Sequence, residues 1–303
     1  MGLFDVFRKP KPEPKPKKPP IDKKLILAVC EEIWAETARP VLCYTLEPGE
    51  PGILESKVGG TPYLPLDMAW PLDSEGKPMD LLAQVDCSAL RDLPDFPHDG
   101  VLQFFLARDD TFGIDFNDQA SQKDFRVLYH ETVDPSVTAE EVLAKRPPVP
   151  ADDDECGPVA RPCRIVFSGA EAQGMSDGDY RFDPLFARKW NERYPDDPVK
   201  DFYDAYRRIP EEEKDYQMFT QLGWDRETRH QLGGYPYFTQ FDPRPGRCDD
   251  LDVLLFQLDS DYDGQGKKYT VLWGDAGIAN FFISRDALKR RDFSRVCYNW
   301  DCC

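Results

Sequence analysis

Two short motifs each occur twice in this chain, displaced by almost the same distance. Gly59-Gly60-Thr61-Pro62-Tyr63 returns 174 positions later as Gly233-Gly234-Tyr235-Pro236-Tyr237. Leu81-Leu82-Ala83-Gln84-Val85-Asp86 returns 173 positions later as Leu254-Leu255-Phe256-Gln257-Leu258-Asp259. An aromatic-rich strand pattern follows each copy, at 101–106 and at 279–283. Unrelated motifs sharing one displacement mark an internal repeat, which restricts the fold to two similar units packed together. The 303 residues therefore read as one globular domain over 25–303, built from halves near 25–145 and 160–303. Between the halves, Pro147-Pro148-Val149-Pro150 and the run Asp152-Asp153-Asp154-Glu155 read as a solvated connection.

Local signals fill in the elements. Asp22 is placed to cap a helix over 23–38, with Leu25, Ile26, Val29 and Ile33 along one face. Thr138 and Glu141 form a capping-box pattern for a short helix ending near 144. Asp183-Pro184 opens a helix running to 194, and two more are expected at 199–208 and 211–219. Strands are expected at 81–86, 101–107, 165–168, 253–259, 270–273 and 278–284. The glycines of Trp273-Gly274-Asp275-Ala276-Gly277 are expected to turn a hairpin. Strands joined by turns, with helices in a separate run, point to an α+β fold: a mostly antiparallel sheet with peripheral helices.

Charge is uneven along the chain. With 38 Lys and Arg against 56 Asp and Glu, the net charge is −18, which argues against nucleic acid as the main ligand. Residues 1–24 carry eight basic and three acidic side chains, net +5, which leaves −23 on the remainder. Six prolines interleave the lysines, so this arm is expected to run extended and solvated. Its tip, Gly2-Leu3-Phe4-Asp5-Val6-Phe7, reads either as a frayed terminus or as a docking or weak membrane-surface contact through residues 2–7. No apolar run approaches the length that spans a bilayer, and no secretory signal pattern is present, so a cytoplasmic location is expected. The nine cysteines are odd in number and lack C-x-x-C spacing. They read as reduced thiols rather than a disulfide framework, the crowded Cys297, Cys302 and Cys303 included.

Side chains alternate along a strand, so Gln84 and Asp86 share one face, as do Gln257 and Asp259. An amide and a carboxylate on an otherwise apolar strand need partners. Two readings stand open: they hold the backbone of the Gly-Gly loops, or the two copies face a shared polar cleft. Tyr63, Tyr237, Trp273 and Asp275 are the further binding candidates beside them. The second copy continues as Asp259-Ser260-Asp261-Tyr262-Asp263-Gly264, the first half of a calcium-loop pattern. Its twelfth position is Thr270 instead of Glu, so calcium at Asp259, Asp261 and Asp263 would lack the bidentate ligand of the full pattern. Nucleophile-elbow, phosphate-loop and zinc-helix motifs are absent, and His98, His130 and His230 stand in no triad pattern. No catalytic residue and no cofactor is expected.

Taken together, Gly59-Gly60-x-Pro62-Tyr63, Trp70-Pro71, Leu82-x-Gln84-Val85-Asp86 and Gly100-x-Leu102-Gln103-Phe104-Phe105 resemble the YwqG-like family of bacterial proteins, a domain of unknown function. In the second half Gly233-Gly234-x-Pro236, Leu255-x-Gln257-Leu258-Asp259-Ser260-Asp261 and Trp273-Gly274-Asp275-x-Gly277-x-x-x-Phe281-Phe282-Ile283 are similar to the same pattern. The resemblance covers about residues 25–295. It implies a cytoplasmic bacterial α+β unit with internal duplication, and it brings no catalytic residues.

With the acidic body and the tethered arm, the sequence reads as a non-enzymatic binding or adaptor protein recognising a basic protein partner. An immunity-like protein capping a basic toxin is one version. The alternative is a metal-dependent enzyme or calcium-binding protein built on Asp259, Asp261 and Asp263, with Asp275 and His230 as further groups for the enzyme.

Overall fold

The computed structural model describes residues 18–149, 157–214, 218, 230–262 and 268–302. The arm through residue 17, the acidic run 152–155, Asp263 and Cys303 lie outside them. In chain order the first half holds α1 (Lys23–Thr37), β1 (Arg39–Pro48), β2 (Lys57–Val58), β3 (Asp80–Asp86), β4 (Val101–Leu106), β5 (Phe125–His130) and α2 (Ala139–Leu143). The second holds β6 (Cys163–Phe167), β7 (Glu171–Gln173), α3 (Phe182–Arg193), α4 (Phe202–Tyr206), β8 (Gln231–Gly233), β9 (Val253–Asp259), β10 (Asp261–Tyr262), β11 (Tyr269–Val271), β12 (Ile278–Ile283), α5 (Arg285–Lys289) and β13 (Cys297–Asp301).

Strands β4 and β12 are buried along their whole length, with one amide each among apolar residues, because both of their faces are covered. Leu102 and Phe104 point into the central core, while their neighbours Val101 and Phe105 pack into a second cluster beneath the loops. Phe281 likewise enters the central core and Phe282 a separate outer one. Rings from the two halves meet directly in that core: Phe104 lies 4.7 Å from Phe256 and 4.8 Å from Phe281. Such aromatic contacts contribute roughly 0.5–1.5 kcal/mol each beyond the area they bury.

Ten strands form one antiparallel sheet in the order β13-β12-β9-β8-β1-β6-β2-β3-β4-β5, with β7 attached to β1. The sheet curls until its two edges approach. The rings of Phe125 on β5 and Tyr298 on β13 lie 5.1 Å apart, and Gln119 bridges to Asn299 at 2.7 Å. The leading strands cross over between halves: β1 pairs with β8, β6 pairs with β2, and β1 and β6 pair with each other at the centre.

The expected α+β class is corrected to mainly β, a nearly closed barrel-like sheet with five short helices among the described residues. The caps read from sequence are present: Asp22 accepts from Lys24 N–H, and Thr138 and Glu141 close a full capping box. A cap sets where a helix begins but not how far it runs. Helices α2, α4 and α5 last only five residues each. Asp183 lies inside the first turn of α3 and makes no cap bond there. Helices α1, α3 and α4 share a small core of their own around Ile26, Phe186 and Trp190, outside the barrel. The turn at 273–277 forms, with Gly277 N–H donating to the Trp273 carbonyl at 2.7 Å. The strands on either side nevertheless pair elsewhere, β11 with β10 and β12 with β9 and β13.

Candidate functional site

Gln84 and Gln257 are both fully buried, and each holds its own loop. Gln84 Oε1 accepts Tyr63 N–H at 2.9 Å, and Gln257 Oε1 accepts Tyr237 N–H at 2.9 Å. A second amide completes each set. Gln103 Nε2 donates to Gln84 Oε1 at 2.8 Å and to Tyr63 O at 2.6 Å. Asn280 Nδ2 donates to Gln257 Oε1 at 2.8 Å and to Tyr237 O at 3.1 Å. The backbones match as well. Each β3–β4 or β9–β12 pairing skips one residue, Leu82 or Leu255, and Cys87 and Ser260 bond the Gly100 and Gly277 carbonyls at 3.0 Å in both. The two sites thus match in these bonds and in the position of the skipped residue.

The other candidates are more scattered. Asp86 is half-buried and accepts Ser88 N–H at 3.0 Å, capping a short 3-10 turn. Asp259 is half-buried, and its own N–H donates to His230 Nδ1 at 3.0 Å. Burial holds the His230 imidazole down to about 3, so it stays neutral. Trp273 is fully buried, and its indole lies 5.8 Å from Phe112 and 6.1 Å from Trp300. Asp275 is exposed, and burial pushes the carboxyl of half-buried Asp261 up. Among the described residues no group of three or more His, Cys, Asp or Glu side chains is placed to hold a metal ion.

One cavity lies beside the first Gly-Gly loop. A cleft of about 620 Å³ opens between Gly59-Gly60-Thr61, the outer ends of β3 and β4, the end of α2 and residues 157–162. Three guanidiniums line it, from Arg108, Arg146 and Arg161, against the single carboxylate of Asp80. Asp80 sits between two of them, 2.5 Å from Arg108 Nη1 on one oxygen and bonded to Arg146 Nη2 on the other. The Arg146 guanidinium stands over the Trp70 ring at 5.4 Å. Leu81, Leu82 and Val159 supply apolar wall.

Beneath the loop is a fourth cation. Lys57 is 1% exposed and donates to the carbonyls of Gly52, Ile53 and Thr61 at 2.7, 3.1 and 2.8 Å. Burial lowers its ammonium to about 8. At the matching place in the second half stands Gln231, whose Nε2 donates to Tyr235 O at 2.9 Å. The loop carbonyl is therefore held by a charge in one copy and by a neutral amide in the other.

With this geometry in place, the family can be assigned. Residues 56–302 match the family described as domain of unknown function DUF1963. The chain belongs to that family. No curated relative matches the chain. The DUF1963 match begins after β1, although β1 occupies the centre of the sheet.

Sequence reasoning did not find the cleft. Its arginines come from three separate segments, with no shared spacing to betray them. One signal was available: at the shared displacement of 174, the repeat aligns Lys57 with Gln231, a change of charge inside an otherwise matched motif.

Proposed function

We propose that this is a binding protein whose ligand is an anion seated in the cleft beside Gly59-Gly60. The observation that carries this reading is the local excess of positive charge. On a chain of net charge −18, three arginines line one cavity with one carboxylate, and a buried lysine lies under the loop at its edge. A concave site with low-dielectric walls strengthens such a field. The groups present suit charge recognition and make no nucleophile–base pair, so binding is favoured over catalysis. The finer family reading is a YwqG-like protein, duplicated within one domain and working in the cytoplasm. What supports duplication is the repeated amide network at Gln84 and Gln257. No helix among the described residues is long and apolar enough to cross a membrane.

The test compares phenylacetate, phenyl phosphate and benzylammonium by calorimetry on the full chain and on Arg161→Glu. The anions should bind, benzylammonium should not, and the charge reversal should weaken the anions by about tenfold, the scale of one lost charge-assisted contact. Preference for benzylammonium, or indifference to Arg161→Glu, contradicts it. The acidic body supports a second reading, an adaptor for a basic protein partner, which capture of such a partner undiminished by Arg161→Glu would favour.

A further inference from the structure

The second half shows what belongs in the first half's cleft, because there the equivalent place is already filled. Gln173 of β7 sends its carboxamide to the second Gly-Gly loop, where Oε1 accepts Tyr235 N–H at 2.8 Å and Gln231 Nε2 at 3.2 Å. The fit is close: a Cβ placed on Gly234 would lie 2.0 Å from that oxygen. In the first half the repeat aligns Thr61 with Tyr235 and Gly60 with Gly234. Thr61 lines the cleft, its carbonyl is held by Lys57, and its N–H has no hydrogen-bond acceptor among the described residues. The nearest atom to a Cβ placed on Gly60 is on Pro162, at 3.4 Å.

We infer that the cleft takes a carboxylate, one oxygen of which sits on Thr61 N–H where Gln173 Oε1 sits on Tyr235 N–H in the other copy. This rests on the cleft being the anion site. A carboxylate is the planar counterpart of Gln173's carboxamide, with oxygen replacing the amino group and one negative charge added. The protein differs between its two copies in the matching sense. Gln231 beside Gln173 is neutral, whereas Lys57 in its place is cationic and has no ion pair among the described residues. A buried charge is costly; Glu55 offsets it only from a distance, without a direct ion pair, and a ligand carboxylate beside the loop adds a second negative charge. The second oxygen faces the guanidiniums of Arg146 and Arg161, and the ligand's remaining atoms meet Trp70, Leu81, Leu82 and Val159. The ligand class is a small monocarboxylic acid with an apolar or aromatic body. A free acid and the carboxy-terminus of a peptide share this chemistry.

The experiment titrates the ¹⁵N-labelled full chain with phenylacetate, phenylacetamide, phenyl phosphate and the peptide acetyl-Ala-Phe, read at the Thr61 amide, on the wild type and on Lys57→Gln. Phenylacetate should shift that amide saturably and bind about tenfold more tightly than the neutral phenylacetamide. Lys57→Gln should remove most of that preference while leaving phenylacetamide unchanged. Should Lys57→Gln fail to fold, Arg161→Gln on the exposed rim carries the same comparison. Weaker binding by the peptide than by phenylacetate assigns the site to free acids, and tighter binding assigns it to chain termini; either supports the carboxylate. Tighter binding by phenyl phosphate, or cleft shifts that spare Thr61, would overturn the carboxylate and leave the anion site standing. No shift at any cleft residue with any probe would overturn both.

Discussion

Lys57→Gln carries a stability prediction that is independent of any ligand. The ammonium titrates at about 8 in the fold, against 10.5 as its ordinary value, because burial removes its water. Between those two pH values the unfolded chain holds a proton that the folded chain has released. Stability must therefore rise with pH across that window, and this group contributes nothing to the slope below about pH 8. The shift corresponds to roughly 3 kcal/mol over the window. Other buried groups act oppositely there. Burial raises the Cys87 thiol to about 12 and raises the Tyr44 and Tyr298 phenols, all of which lose stability as pH climbs. The informative quantity is accordingly the difference between wild type and Lys57→Gln, which installs the residue the second half uses at this place. Urea unfolding from pH 7 to 10.5 should show the wild type gaining about 3 kcal/mol on the variant, most of it above pH 8. Parallel curves would refute the argument that Lys57 is a desolvated cation whose burial outweighs the attraction of Glu55.

Three further outcomes follow from the same structure. Gln84→Leu removes the acceptor of Tyr63 N–H and the donor to the Glu55 carbonyl, takes one of two contacts from Gln103 Nε2 and from the Ile53 carbonyl, and should cost about 3–5 kcal/mol in urea unfolding, as should Gln257→Leu in its own network. A loss below 1 kcal/mol would remove the amides from the account of the fold. Because burial holds His230 down to about 3, the unfolded chain binds a proton there that the folded chain refuses, so stability should fall as pH drops from 6.5 toward 3. His230→Asn, which keeps an acceptor near Asp259 N–H, should flatten that part of the acid unfolding curve. Thr138→Ala opens the capping box at the start of α2 and should lower stability by about 1 kcal/mol; an unchanged melting temperature would count against it.

Much of the sheet was legible because the residues that build it act locally. The pattern at 253–259 gave β9 with its exact bounds, and the strand patterns at 81–86 and 278–284 fall on β3 and β12. The loop-holding reading of Gln84 and Gln257 was also open from sequence, since glycine loops present backbone groups that need partners. Strand β1 was not anticipated. It begins Arg39-Pro40, carries mixed polarity, and owes its place to pairing with β6 and β8, which lie more than a hundred residues away. The fold class was misread for a related reason. Helix caps are strong local signals, whereas the closure of a sheet depends on contacts such as Phe125 with Tyr298 that no short window contains. The cleft was illegible because Arg108, Arg146 and Arg161 converge only after β4, α2 and the segment before β6 have been placed.

The most direct measurement is a crystal structure of the full chain with 4-bromophenylacetate, located by the anomalous scattering of bromine. The account predicts a bromine peak in the cleft, near Trp70 and the apolar wall, with a carboxylate oxygen at hydrogen-bond distance from Thr61 N–H. A peak on another face of the molecule, or a cleft occupied with the carboxylate turned away from Thr61 and the arginines, would contradict it.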